Sequence, residues 1–245
     1  MWAIVLKRVD PTRKSVNVAG YKLNYLNYHV FQYLFHELFL DQEYYFATSN
    51  KSPLIIDCGS NIGMSILYFK LVYPNSRILG FEPGDDAFSC LEKNIRDNDL
   101  QSVEVNKKAV SGNEGKIDFY YDIENPGSLA MSTIQERMPK QKKEVDAVHL
   151  SKYITEEVEF LKMDVEGAEL GVMQELDNSG KLKYIKQMAI EYHHHIVRDE
   201  DGLSALLRIL ENAGFGYQIS SYLGRPFDHH QFQDILIYAY QKTSA

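Results

Sequence analysis

A short apolar run closing on an acidic residue and two glycines, directly ahead of a helical pattern, constrains this chain more than any other feature. Leu54-Ile55-Ile56 leads into Asp57-Cys58-Gly59-Ser60-Asn61-Ile62-Gly63, and apolar residues then recur through Ile66, Leu67, Phe69 and Leu71 up to Pro74. A buried strand turning sharply into a helix reads this way. The alternation continues. Ile78-Leu79-Gly80-Phe81 reads as a second strand closing at Glu82-Pro83, and residues 85–98 as a helix with Phe88, Leu91 and Ile95 on one face. Val103-Glu104-Val105 and Lys108-Ala109-Val110 give a further strand and its exit. Strand and helix alternating at this pace predict a parallel sheet with helices on both faces.

The second half keeps part of the rhythm. Ile117, Phe119, Tyr121 and Ile123 alternate as in a strand, and residues 124–144, punctuated by Pro126, Gly127 and Pro139, read as a long mobile loop and a candidate lid. Phe160-Leu161-Lys162-Met163 is a buried strand, followed by a helix through Leu170, Val172 and Met173, and then by the strand Met188-Ala189-Ile190. Residues 201–213 form a helix on Leu203, Leu206, Leu207 and Leu210, stopped by Gly214. Tyr217-Gln218-Ile219 and Ile235-Leu236-Ile237-Tyr238 suit an antiparallel final pair, with His229-His230 exposed in the loop between them.

Ahead of this lies a different text. Ser15-Val16-Asn17-Val18, a turn at Gly20 and Tyr21-Lys22-Leu23-Asn24-Tyr25-Leu26 suggest a hairpin, and Phe31, Leu34, Phe35, Leu38 and Phe39 follow helical spacing. The chain therefore divides into an N-terminal hairpin and helix extension, residues 1–53, and an α/β domain, residues 54–245. The extension's apolar face must pack on something, most simply the main domain, and it is also a candidate homodimer contact. Tyr44-Tyr45-Phe46 offers a strand, a pocket wall or a subunit contact, with core or interface packing the commonest use of such residues.

Composition removes several classes. At 245 residues the chain can bury a full core without staples, and 44% hydrophobic with 24% charged residues is a globular balance. A formal charge of -8 argues against a nucleic-acid partner. Cys58 and Cys90 cannot make a disulfide framework or a cysteine-rich zinc site alone, and both fall where small buried residues belong. The run Met1-Trp2-Ala3-Ile4-Val5-Leu6 is too short for a signal sequence, and no stretch nears the roughly 18 apolar residues of a membrane span. The expectation is a soluble, cytoplasmic protein with no membrane partner.

The glycines let the backbone turn and approach a ligand, while the helix start offers free N–H groups. Glu82 lies 25 residues after Asp57, at the end of the next strand, where a carboxylate can accept both hydroxyls of a ribose. A dinucleotide site would require G-x-G-x-x-G, whereas position 61 is asparagine and Asp57 would repel a pyrophosphate. A carboxylate beside the turn instead suits a ligand with an amino group and a positive centre. S-adenosylmethionine has both, and the ribose as well.

Ile56-Asp57-Cys58-Gly59-Ser60-Asn61-Ile62-Gly63, Phe81-Glu82-Pro83, Lys108-Ala109-Val110-Ser111 and Lys162-Met163-Asp164-Val165-Glu166-Gly167-Ala168-Glu169 resemble the successive motifs of FkbM-type S-adenosylmethionine-dependent methyltransferases. The D-V-E-G-A-E hexad is the most specific, and the resemblance covers residues 54–240. It implies the class I methyltransferase fold: a three-layer, Rossmann-like α/β/α domain with a seven-stranded, mostly parallel sheet and an antiparallel last strand. It implies donor contacts at Asp57, Gly59, Ser60, Asn61 and Gly63, a ribose contact at Glu82 beside Pro83, and adenine beside Ala109 and Val110. Asp164 and Glu166 would flank the donor's amino acid portion and its methyl group. For Glu169, a first-turn carboxylate stabilised by the helix dipole is the plain alternative.

The family's known members methylate hydroxyls of sugars, polyketides and related metabolites, so the acceptor expected here is a small molecule or carbohydrate. In-line transfer to a hydroxyl needs positioning and a base. Candidate bases are Glu191 and the run His193-His194-His195, with Glu191, His193 and His195 sharing one face of an extended segment. Glu191 or His193 is the preferred base. The sulfonium is already electrophilic, so no metal site is assigned. Arg137, Lys140, Lys142 and Lys143 in the candidate lid could meet an acidic or phosphorylated acceptor. Two rival readings are a nicotinamide-dependent oxidoreductase and a donor-binding module without turnover.

Overall fold

The computed structural model describes residues 13–197, 200–221 and 232–242. His229 and His230 lie outside them, as do residues 1–12. In chain order, a hairpin of β1 (Ser15–Val18) and β2 (Tyr21–Asn24) precedes helix α1 (Tyr28–Phe35), which runs into a π-helical stretch, His36–Asp41. Then come β3 (Leu54–Cys58), α2 (Met64–Val72), β4 (Arg77–Phe81), α3 (Asp85–Asp97), β5 (Val103–Asn106), β6 (Ala109–Val110), β7 (Gly115–Tyr121) and β8 (Gln141–Val148). The chain continues with β9 (Val158–Met163), α4 (Glu169–Asn178), β10 (Ile185–His194), α5 (Leu203–Asn212), β11 (Phe215–Ser221) and β12 (Gln233–Gln241).

Seven strands form the central sheet in the order β11-β12-β10-β9-β3-β4-β5. Neighbours from β10 across to β5 run parallel, and β12 is antiparallel to both strands beside it. This is the class I methyltransferase architecture that the motifs imply. Alternation along each strand divides the core in two. Ile56, Leu161, Met163, Met188 and Ile190 face α4 and α5, while Ile55, Phe160 and Ala189 face α2 and the N-terminal extension.

The extension shares that second core. Phe31, Phe35 and Leu38 pack with Ile66, Leu67 and Phe69, and the Phe46 ring stacks between Tyr73 at 4.2 Å and Phe160 at 4.4 Å. The Tyr44-Tyr45-Phe46 segment is no strand: Tyr44 and Phe46 are buried and Tyr45 is exposed. Cys58 and Cys90 are free and buried.

Two expectations need correction. The alternating run at Ile117 does form a strand, but β7 ends at Tyr121 and belongs to a separate sheet, β6-β8-β7. The loop expected over 124–144 is shorter, because residues 141–144 open β8 and pair with β7. Burial in β8 falls on Val145 and Ala147 alone, so its first half carries no hydrophobic signal. Among the described residues no helix is long and apolar enough to cross a membrane.

Candidate active site

The carboxyl ends of β3, β4 and β9 surround a cavity with about 830 Å³ of unfilled space, part of it open to solvent. Ligands gather at this end of open α/β sheets. Gly59 shapes the turn after β3 with φ +81°, and a Cβ there would lie 1.8 Å from the Asp164 carbonyl oxygen. No side chain fits. The Gly59 and Ser60 amides donate to the Phe81 carbonyl at 3.0 and 2.9 Å, binding the turn to the end of β4.

Glu82 meets that turn from β4. Its Oε2 accepts from the Asn61 amide at 2.9 Å and its Oε1 from the Gly84 amide at 2.7 Å. Asn61 adopts φ +47°, and its own Oδ1 accepts from the Ile62 amide at 2.8 Å. Burial pushes the Glu82 pKa up to about 7, against the pull of its two amide donors. Gly59, Ser60, Asn61, Glu82, Pro83, Ala109, Val110, Asp164 and Glu166 all line the cavity. Asp57, Gly63, Glu191 and His193 do not line it. Gly63, at φ +82°, serves packing, since a Cβ there would lie 2.5 Å from Leu91.

Asp57 stands beneath the cavity, fully buried. Its Oδ2 accepts from Ser65 Oγ at 2.6 Å, while Oδ1 has no hydrogen-bond partner and faces Lys162 Nζ at 3.6 Å. Asp57 and Lys162 are register partners on adjacent parallel strands, so their side chains emerge side by side. Lys162 also donates to the Gly59 carbonyl at 2.7 Å and to Asp164 Oδ2 at 3.2 Å. Burial opposes its charge, but Asp164, Asp57 and Glu191 outweigh that and raise its pKa.

Beyond β9 the site becomes dense in charge. His193 Nδ1 lies 2.9 Å from Glu169 Oε1, and Nε2 lies 3.2 Å from Glu166 Oε2. Burial alone would lower the His193 pKa; Glu169, Glu166 and Asp164 carry it well above the ordinary imidazole value. Burial raises the Glu166 pKa, and it raises that of Glu191 strongly, with Asp164 adding to both. Glu169 is more than a helix-terminal charge, since its Oε1 also accepts from the Gly167 amide at 2.9 Å. Asp164, Glu166 and His193 each offer a metal-ligating atom within 4.8 Å of the others.

His195 departs from the expected face. The strand ends at His194, and φ +60° at His195 swings its ring onto that of His194, with centroids 3.7 Å apart. Strand alternation does not survive a left-handed residue. The shortened loop forms part of the cavity wall through Ser128, Leu129, Met131 and Thr133. Ser132 Oγ donates to the Glu166 carbonyl at 2.5 Å, and Arg137 Nε contacts Glu166 Oε2 at 2.6 Å. The basic residues expected in the lid already face carboxylates of their own chain: Lys140 pairs with Asp122, and from β8 Lys142 pairs with Asp118 and Lys143 with Asp85.

Sequence reasoning missed Lys162, Glu37 and Asp234 as members of this neighbourhood, and offered a pocket wall as one of three uses for the segment that holds Tyr44. Glu37 and Tyr44 line the cavity from the extension, and Tyr44 OH donates to Glu191 Oε2 at 3.2 Å. Burial pushes the Glu37 pKa up to about 8, against a hydrogen bond from Tyr33. Only the buried lysine left a trace in the text, as a charge inside an apolar strand.

Several known methyltransferases resemble this chain. Methyltransferase sdnD of Sordaria araneosa is 30% identical over 178 residues, covering 60% of this chain and 69% of its own. The 31-O-demethyl-FK506 methyltransferase FkbM of Streptomyces tacrolimicus is 26% identical over 218 residues, covering 75% of this chain and 81% of its own. Among solved structures, methyltransferase FkbM from Methylobacillus flagellatus KT superposes with a TM-score of 0.52 at 20% identity. That match spans 80% of this chain and 45% of the other. The methyltransferase FkbM domain pattern itself runs over residues 57–217, from the acidic end of β3 into β11, and so takes in the glycine turn, Glu82 and the D-V-E-G-A-E hexad. The chain belongs to the FkbM methyltransferase family.

Proposed function

We propose that this chain transfers a methyl group from S-adenosylmethionine to a hydroxyl of a small-molecule or carbohydrate acceptor. The observation that carries the reading is Glu82. A carboxylate fixed by the Asn61 and Gly84 amides on the cavity wall keeps a lone pair on each oxygen for the vicinal hydroxyls of a ribose. Val110 and Phe81 supply an apolar wall for a purine, and Asp164, a quarter exposed, faces the cavity as a partner for an amino group. When bound, S-adenosylmethionine supplies an electrophilic methyl whose bond electrons leave with its sulfur.

The chain's own part is positioning and proton removal. The turn from Gly59 to Asn61 and Glu82 hold the nucleoside, leaving the rest of the cavity wall to the acceptor. There Tyr44 lines the wall and donates to Glu191 behind it, so a hydroxyl bound at Tyr44 has a path for its proton to Glu191. The acceptor oxygen forms the new bond to the methyl carbon as that proton passes inward. His193 lies off the wall, its two nitrogens facing Glu169 and Glu166, and serves the carboxylates more directly than the acceptor.

Titration calorimetry with S-adenosylhomocysteine and with NAD tests the donor, and transfer of a labelled methyl group to a panel of polyols, amines and polyketides tests the acceptor. Binding of S-adenosylhomocysteine with label on an ether oxygen is the expected result. NAD binding without S-adenosylhomocysteine binding would overturn the reading.

A further inference from the structure

We propose that Asp164, Glu166 and His193 form a binding site for a divalent metal ion of the Mn²⁺ type at the inner wall of the cavity. Three side chains from two segments supply it. Asp164 and Glu166 come from the turn after β9, and His193 comes from the end of β10. From His193 Nε2 the nearest oxygens of Glu166 and Asp164 lie at 3.2 and 3.9 Å. In an octahedral ion with bonds of about 2.1 Å, adjacent ligand atoms lie about 3.0 Å apart and opposite ones about 4.2 Å. The observed separations fall inside that span. Asp234 Oδ1 lies 3.8 Å from the same nitrogen.

The imidazole is prepared in the manner of a metal ligand. Metal-binding histidines almost always give their second ring N–H to a carboxylate or carbonyl, which fixes tautomer and ring orientation. Glu169, 1% exposed, is that carboxylate: it takes Nδ1 at 2.9 Å while its own position is fixed by the Gly167 and Val165 amides. Nε2 is thereby aimed at the oxygens. The mixed donor set of one imidazole and two carboxylates suits a first-row ion that accepts nitrogen and oxygen alike.

The site has an open side. Asp164 and Glu166 both line the cavity, whereas His193 does not, so the remaining coordination positions face the space an acceptor would fill. There an ion would polarise a bound hydroxyl and hold it in place. That use rests on the methyl-transfer reading; the existence of the site does not. The charges an ion would have to displace or share are His193 itself, Arg137 Nε at 2.6 Å from Glu166 Oε2 and Lys162 Nζ at 3.2 Å from Asp164 Oδ2.

The test uses the full-length protein stripped with chelator and titrated with MnCl₂ alone, reading free Mn²⁺ by electron paramagnetic resonance. A single saturable ion per chain is expected. His193→Gln and Asp164→Asn should each weaken binding by more than about tenfold, and Glu169→Gln, which removes no ligand, by about 10–100-fold. Circular dichroism and S-adenosylhomocysteine calorimetry on the same samples report folding and donor binding. Should His193→Gln fail to fold, Asp164→Asn and Glu169→Gln decide the matter. No bound Mn²⁺ at millimolar concentration, or binding unchanged in the folded variants, would overturn the proposal. Wild-type protein that binds Mn²⁺ but not S-adenosylhomocysteine would overturn the donor reading and leave the ion site standing.

Discussion

The turn after β3 and the charged wall beyond β9 border one cavity but are held by different forces. Backbone geometry makes the first: Gly59 at φ +81°, Asn61 at φ +47° and three amides anchored on Phe81 and Glu82. Side-chain charge makes the second, where Asp164, Glu166, Glu169, Lys162 and His193 offset one another and main-chain amides hold only Glu169. A backbone cradle tolerates no added atom. A charge cluster tolerates change in any member that keeps the balance, and punishes an unpaired remainder.

Gly59→Ala should break the cradle outright. The left-handed backbone costs about 1–3 kcal/mol in strain alone, and the new methyl meets the Asp164 carbonyl. Calorimetry should find no S-adenosylhomocysteine binding; retained affinity would mean the turn is far more plastic than its contacts suggest. Phe160→Ala, on the same face of β9 as Lys162 but off the cavity wall, should cost about 3–5 kcal/mol in chemical denaturation. In protein that remains folded, donor affinity should stay within a factor of about two, because Phe160 stacks on Phe46 and does not line the cavity.

Glu82→Gln sharpens the comparison, since it swaps charge while keeping shape. Loss of charge-assisted hydrogen bonds worth about 1.5–3 kcal/mol should weaken donor binding about 10–100-fold. Glu82 also predicts a pH profile. Its ionised form is the acceptor, so donor affinity should fall as pH drops through about 7, and Glu82→Gln should flatten that dependence. Stability of the free protein runs the other way. With a folded pKa above the unfolded carboxylate value of about 4.3, Glu82 stabilises fully below that value and its contribution is lost as pH rises through about 7. Arg137→Gln is the mildest change. It frees Glu166 Oε2 and should speed proteolysis within residues 122–140 by a few-fold, leaving donor affinity within about twofold. Unchanged cleavage would show that Ser132 alone holds the loop.

Legibility follows the same divide. Glycine positions and Glu82 could be read because a strand-turn-helix places them by short-range rules; the parallel sheet followed from periodicity, and the reversed last strand from the family resemblance together with the spacing of the final pair. The charged wall could not be assembled that way. Tyr44 and Glu191 are 147 residues apart, and nothing local to either says that they meet. Glu37 lies in the π-helical stretch and lines the cavity, and the helical spacing of the apolar residues around it carries no sign of that. The histidine run showed the limit of alternation, which holds for His193 and fails at the left-handed His195. β8 was lost because Lys142, Lys143 and Glu144 flank only two buried residues, a pattern that a polar loop matches equally well.

The aromatic seam of Phe46, Tyr73 and Phe160 carries a practical consequence for anyone trimming this protein. A polypeptide begun at Leu54, where the recognisable methyltransferase text starts, would bare Phe69 and Phe160 to water and delete four wall residues, Leu34, Glu37, Leu38 and Tyr44, from the cavity. Such a fragment should aggregate, and any portion that stayed in solution would have lost one side of its binding chamber.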